Sequence, residues 1–143
     1  YTFLRPSFFA QNLLDTVAPT ARRTGLVPDP FGGAAIAMLD VRDLAACAAA
    51  ALLSPPSEAG TYRVTGPRPV TLRDVARHLG LWRLPIAPRI AERALRREGA
   101  SAFEVEHATR MATYFASGAD GTVTATVHTL TGRVARPIGA LLD

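Results

Sequence analysis

The feature that most constrains this chain is residues 39–76, LDVRDLAACAAAALLSPPSEAGTYRVTGPRPVTLRDVA. It reads as the end of a strand, an alanine-rich helix, a Pro/Ser/Gly loop, a short strand ending Thr65-Gly66-Pro67, and a second helix. Asp43 is expected to cap the first helix, since a carboxylate accepts from the unpaired N–H groups of the first turn and suits the positive helix end. Leu44, Cys47, Ala48, Ala51 and Leu52 then share one face. Thr71 with Asp74 is a short-armed capping box, followed at helical spacing by Leu72, Val75, Ala76 and Leu79. Two capped helices therefore flank one buried strand. The loop from Ser54 to Gly60 separates helix from strand, because neither of its prolines continues a helix.

Before this stretch, Tyr1 to Leu4 has the aromatic and branched character of a strand, which Pro6 is expected to stop because it has no N–H to give. Phe8 to Leu14 reads as helical. Val17 to Gly33, rich in Pro, Thr, Arg and Gly without a sustained period, reads as a loop, and Ala34 to Val41 as a strand with alternating faces. Asp40 and Asp43 form a carboxylate pair, which is read as a strand end and a helix cap rather than as acid–base chemistry.

After the Thr71 helix, Gly80 is expected as the C-terminal cap, because its freedom of conformation is what a helix end needs. An extended segment is expected around Leu84 to Ala87, because Pro85 and Pro88 disfavour helix in the residues before them. Arg89 to Glu98 forms a charged helix with Ile90, Ala91, Ala94 and Leu95 as its packing stripe and Glu92–Arg96 as an i,i+4 pair. Ser101 with Glu104 is a full capping box, and Val105, Ala108, Met111, Ala112 and Phe115 line the packed side of the next helix. His107, Arg110 and Tyr114 share an adjacent stripe. Gly118 to Gly121 is a turn, Thr124 is expected to cap a short helix closed by Gly132, and Pro137 suits the start of a terminal helix.

Charge and composition exclude several chemistries. The formal net charge is +4, yet all 16 basic residues are arginine. Without a lysine, the chain holds no Schiff-base lysine, phosphate-loop lysine or Tyr-x-x-x-Lys dyad. The arginines show no nucleic-acid footprint, which requires clustering on one face; Arg22-Arg23 and Arg93, Arg96 and Arg97 read as solvated surface. One cysteine, Cys47, excludes an intrachain disulfide and suggests a reducing compartment. No metal-ligand spacing and no nucleophile motif occurs. No apolar run approaches the roughly 18 residues of a membrane span. Neither a membrane nor a nucleic acid is therefore expected as partner, and a cytoplasmic location is.

Asp40-Val41-Arg42-Asp43-Leu44-Ala45, Tyr62-Arg63-Val64-Thr65-Gly66-Pro67 and Thr71-Leu72-Arg73-Asp74-Val75-Ala76, with Leu130-Thr131-Gly132-Arg133 near the end, resemble the C-terminal half of the NmrA-like family of atypical short-chain dehydrogenase/reductases. The resemblance implies an α/β fold: residues 1–70 as the C-terminal part of a Rossmann-like parallel sheet and 71–143 as a mostly helical, substrate-side lobe. It implies NAD(P) as cofactor, with Arg5, Pro6, Ser7 and Phe8 beside the nicotinamide. Phe8, Phe9 and Asn12, with His107 and Tyr114, are expected to wall a pocket for a small-molecule substrate, quinone-like or azo-like. The alternative within the fold is a non-catalytic NAD(P) sensor.

The glycine-rich turn that cradles a pyrophosphate is missing: the only adjacent glycines are Gly32-Gly33, and G-x-G-x-x-G does not occur. The chain alone is therefore expected to bind dinucleotide weakly or not at all. A half-sheet with an unpaired edge is expected to self-associate or to pair with a separate N-terminal half.

Overall fold

The computed structural model describes residues 1–53 and 59–142. All but the last two residues of the expected Ser54–Gly60 loop lie outside the described residues. Within them the fold is α/β, built on two separate two-stranded parallel sheets. Strand β1 (Thr2–Pro6) pairs with β3 (Gly60–Val64), and β2 (Leu26–Asp29) pairs with β4 (Trp82–Pro85). The helices are α1 (Asn12–Thr16), α2 (Ala18–Thr24), α3 (Val41–Leu53), α4 (Leu72–His78), α5 (Pro88–Arg97), α6 (Ala102–Ala116), α7 (Thr126–Thr131) and α8 (Gly139–Leu142).

Pro6 does not cut the first strand short. It is the last residue of β1, opposite Val64, and the ladder goes on to Ser7, whose N–H donates to the Val64 carbonyl at 2.9 Å. Bonding groups alternate sides along a strand, so the N–H that Pro6 lacks belongs on the edge away from β3, where proline is tolerated. That edge pairs with no strand among the described residues.

One apolar cluster sits on a single face of the β1–β3 sheet. Leu39, Cys47, Val64 and Val127 are buried there, with Leu4, Phe9, Leu44 and Leu130 packed against them. Helices α3 and α7 cover this face. On the other face Tyr1 and Phe3 are 80% and 58% exposed, their rings 5.1 Å apart. A second cluster joins Leu13, Val17, Ala21 and Val27 to Ile36, Met38, Leu72, Val75 and Phe115. The two clusters draw on alternating parts of the sequence.

Several local expectations are corrected. Val17 to Gly33 is not a loop but carries α2 and β2; α2 accommodates Pro19 in its first turn, and β2 gains its partner only from Trp82–Pro85. Phe8 and Phe9 precede the helix rather than belonging to it, and Phe9 bridges to Leu39. Residues 34–40 form no strand but only isolated bridges, at Ile36 to Val70 and at Leu39 to Phe9, and Val41 opens α3. The faces of this segment do not alternate in burial, because Ile36, Ala37, Met38 and Leu39 run between the two clusters and are all buried. Leu52 lies off the packed face of α3 and is 83% exposed, and Ile90 of α5 is also exposed.

The capping boxes hold. Thr71 with Asp74 opens α4 and Ser101 with Glu104 opens α6, each carboxylate accepting from its partner's backbone N–H and hydroxyl. At α3 the roles are exchanged. Asp40, not Asp43, accepts from the first turn, taking the Arg42 N–H at 2.8 Å. Asp43 is turned inward and accepts from the Arg136 N–H at 2.7 Å and from its guanidinium. Thr124 caps nothing: the N-cap of α7 is Ala125, without a side-chain cap, and the Thr124 hydroxyl donates to the Arg63 carbonyl at 2.6 Å.

Candidate functional site

In open parallel sheets, ligands sit beyond the carboxyl ends of the strands. For β1 and β3 those ends are Ser7-Phe8 and Thr65-Gly66. The second is pinned by close approach: a Cβ on Gly66 would lie 1.9 Å from the Met38 carbonyl oxygen, so only glycine lets the two backbones meet there. Gly66 N–H donates to the Ala37 carbonyl at 3.1 Å. Residues 120–124 run across the same end, where Thr124 N–H donates to Thr65 Oγ1 at 3.0 Å and Ala37 N–H donates to the Asp120 carbonyl at 2.8 Å.

Asp120 is the centre of this arrangement. Its carboxylate is buried and accepts from three donors: the Ser7 hydroxyl, the Phe8 N–H at 3.2 Å and Arg63 Nη2 at 2.5 Å. Arg63 Nη2 also donates to the Ala119 carbonyl at 3.1 Å. Charge and hydrogen bonds together meet the cost of placing a carboxylate out of water.

Beside the turn stands an aromatic wall. The Phe8 ring meets Phe31 and Phe115 edge-on at 5.9 and 5.2 Å, Phe31 and Phe115 lie 5.2 Å apart, and Tyr114 packs on Phe115 at 5.4 Å. Such T-shaped packing sets a positive ring edge against a negative face. Phe31 is held by its N–H, which donates to Asp29 at 2.8 Å, and Asp29 in turn accepts from Arg83 Nε at 2.6 Å. Tyr114 is 43% exposed at the rim.

The structure brings together some of the sequence-predicted residues and separates others. Phe8 is in the wall and Tyr114 borders it. Ser7 lies in the same turn with its side chain turned inward, spent on Asp120; Arg5 and Pro6 are exposed just before it. Phe9 packs into the other cluster, against α3. Asn12 is exposed. Its half-buried neighbour Gln11 donates through its side chain to Asp40 at 3.0 Å and accepts from the Val41 N–H at 3.1 Å. His107 is exposed and stacks on Phe103 at 6.2 Å, outside the wall. Asp120 and Phe31 were not singled out by sequence, where residues 118–121 read only as a turn; Thr124 was read as a helix cap and Arg63 only as part of a motif, neither as a site residue.

Burial, with the Asp43 carboxylate nearby, pushes the Cys47 thiol up, which keeps it protonated and unreactive. Among the described residues no group of three or more His, Cys, Asp or Glu side chains is placed to hold a metal, and no helix is long and apolar enough to cross a membrane. Three of the helix N-termini do not fit a dinucleotide pyrophosphate. The N-termini of α3, α4 and α6 are each closed by a carboxylate, from Asp40, Asp74 and Glu104, which repels phosphate.

No family model matches the sequence. A curated (4-alkanoyl-5-oxo-2,5-dihydrofuran-3-yl)methyl phosphate reductase of Streptomyces griseus is 35% identical over 96% of this chain and 50% of its own length. An NAD(P)H azoreductase of Xenophilus azovorans is 41% identical over 53% of this chain and 26% of its own length. The chain thus spans half or less of these curated relatives. Among solved structures, the NADPH-dependent quinone oxidoreductase QOR2 of Escherichia coli, complexed with NADPH, superposes with a TM-score of 0.88 at 22% identity, over 99% of this chain and 52% of that one. The chain has the fold of these reductases. That Rossmann-like fold places the Ser7–Phe8 turn at a carboxyl end of the parallel sheet, where such folds bind their ligands.

Proposed function

We propose that the chain is the C-terminal, acceptor-side portion of an NmrA-like, NAD(P)H-dependent oxidoreductase acting on a small organic acceptor, quinone-like or azo-like. The observation that carries this reading is the aromatic wall of Phe8, Phe31 and Phe115 at the carboxyl end of β1. Phe115 is buried in the core, so the rings left to meet a flat, conjugated acceptor are the half-buried Phe8 and Phe31 and, at the rim, Tyr114. The two curated relatives are both reductases, which supports the reaction class. The Streptomyces relative adds an unsaturated lactone phosphate to the acceptors worth testing.

When bound, the cofactor supplies the hydride; the residues of this chain orient and shield. Arg5 and Pro6 at the end of β1, with Ser7 and Phe8 in the turn after it, are the residues that would line the nicotinamide end. Phe8 and Tyr114 border the acceptor, with Phe9, Asn12 and His107 further off. The phosphate cradle belongs to a preceding half. Two features support that pairing: the unpaired edge of β1 and the exposed Tyr1 and Phe3 on a parallel sheet, a sheet type that is normally covered on both faces.

The test is to saturate the full gene product with NADPH and follow nicotinamide absorbance with quinone, azo and unsaturated lactone acceptors. Acceptor-dependent oxidation is expected, whereas tight binding without it would replace the reductase by a sensor. The 143-residue chain alone is expected to bind NADPH weakly and to self-associate. Sedimentation across a concentration series checks the latter, and a dispersed monomer would count against it.

A further inference from the structure

We propose that Asp120 is a positioning residue for the reductase reaction, acting through the Ser7–Phe8 turn. The assignment deepens the proposed function and rests on it. Three observations converge on that turn. Asp120 is 4% exposed, yet its carboxylate caps neither a helix nor a strand edge: one oxygen takes both the Ser7 hydroxyl and the Phe8 N–H, the other the Arg63 guanidinium. On the opposite side of the turn, the Phe8 carbonyl accepts from Leu39 N–H at 2.8 Å. The peptide groups of Phe8 are thus held from both sides, just where β1 leaves the sheet. The ring they carry is the wall's first member, edge-on to Phe115 at 5.2 Å.

A neutral residue could close a surface turn without the cost of a buried anion. The charge here is matched by Arg63 of β3, itself opposite Arg5 in the parallel register. Asp120 therefore ties the carboxyl ends of both strands to one carboxylate, and Ser7, only 5% exposed, works as the peg rather than as a contact. Loss of the charge is expected to leave the sheet and the two clusters in place while freeing the Phe8 ring. Small misplacements of a group that orients reactants are costly to rate.

D120N in the full gene product tests this, with R63M as a second variant that keeps the carboxylate. Under saturating NADPH and a quinone acceptor, kcat is expected to fall by about tenfold or more, in line with the cost of misplacing reactants. KM for NADPH should change little, and the isotope effect with NADPH deuterated at C4 should rise as hydride transfer becomes slower. Hydrogen exchange should show lost protection at the Phe8 amide with β3 and α6 unchanged. Wild-type kcat and isotope effect in a folded D120N would overturn the positioning role while leaving the reductase reading intact. A wild-type protein that binds NADPH but oxidises it with none of the acceptors would overturn the reductase reading, and with it a role in hydride transfer. Unchanged Phe8 protection in D120N would by itself overturn the anchoring.

Discussion

Replacing Gly66 by alanine is the most direct probe of how the site end of the sheet is built. An added Cβ would lie 1.9 Å from the Met38 carbonyl oxygen and 3.0 Å from its carbon. Ordinary contact begins at 3.4 Å, about 1.5 Å longer, so one backbone must recede by roughly that amount. Neither side gives easily. Met38 is buried, and Gly66 N–H is committed to the Ala37 carbonyl at 3.1 Å. Stranding that buried pair costs about 1–3 kcal/mol. Shifting a well-packed segment adds about 1–3 kcal/mol. The sum is about 4 kcal/mol. With an unfolding entropy near 2.1 cal/mol/K per residue, that lowers Tm by about 13 °C for a chain of this size. The assay is thermal unfolding by circular dichroism, with G60A as the control. A Cβ on Gly60 meets nothing within 4 Å, so its Tm should stay within about 2 °C of wild type, as for an unstrained surface change. A G66A protein that melts with the control would refute the close approach.

Two further outcomes follow from the ion pairs around α3. The Arg42 guanidinium, together with the Arg42 N–H and the Gln11 amide, holds the Asp40 carboxyl down to about 2, against 3.8 ordinarily. Because the folded value is the lower one, its stabilisation is complete above about pH 4 and is lost as the pH falls through about 2. Its size is about 1–2 kcal/mol once the exposure of Arg42 is discounted. Urea unfolding between pH 5 and pH 2 should show this loss, and D40N should remove that part of it. Removing the Arg136 guanidinium in R136M leaves the buried Asp43 with the Arg136 N–H alone and should cost about 2 kcal/mol. The double variant D43N/R136M should recover part of it in the same urea assay.

What was legible in the sequence was local. The boxes at Thr71–Asp74 and Ser101–Glu104 are closed by residues three apart, so spacing alone reveals them. At Asp40 and Asp43 the same local logic offered two carboxylates for one cap. The choice was made by Arg136, 93 residues away, which draws Asp43 inward. Strand β2 was illegible for a similar reason: Leu26–Asp29 carries two polarity-breaking residues, Pro28 and Asp29, and becomes a strand only against Trp82–Pro85. The candidate site divided along the same line. Phe8 was marked by its motif, but Asp120 receives its donors from positions 57, 112 and 113 residues distant, and no pattern of neighbours encodes that.

The parallel pairing has a consequence for how the chain reaches this structure. Thr2 meets Gly60 and Leu26 meets Trp82, so each sheet closes a span of more than fifty residues before its first bond forms. Closing such a loop costs about 3–4 kcal/mol of chain entropy, none of it returned until side chains pack. Helices α3 and α6 can form early from local bonds, while β1 waits for the whole of α3 to be in place. Folding should accordingly be slow for the chain's size, in the millisecond-to-second range of folds with distant partners. During that wait Phe3 and the free edge of β1 are open to other chains, which makes concentration and temperature during refolding the conditions that decide its yield.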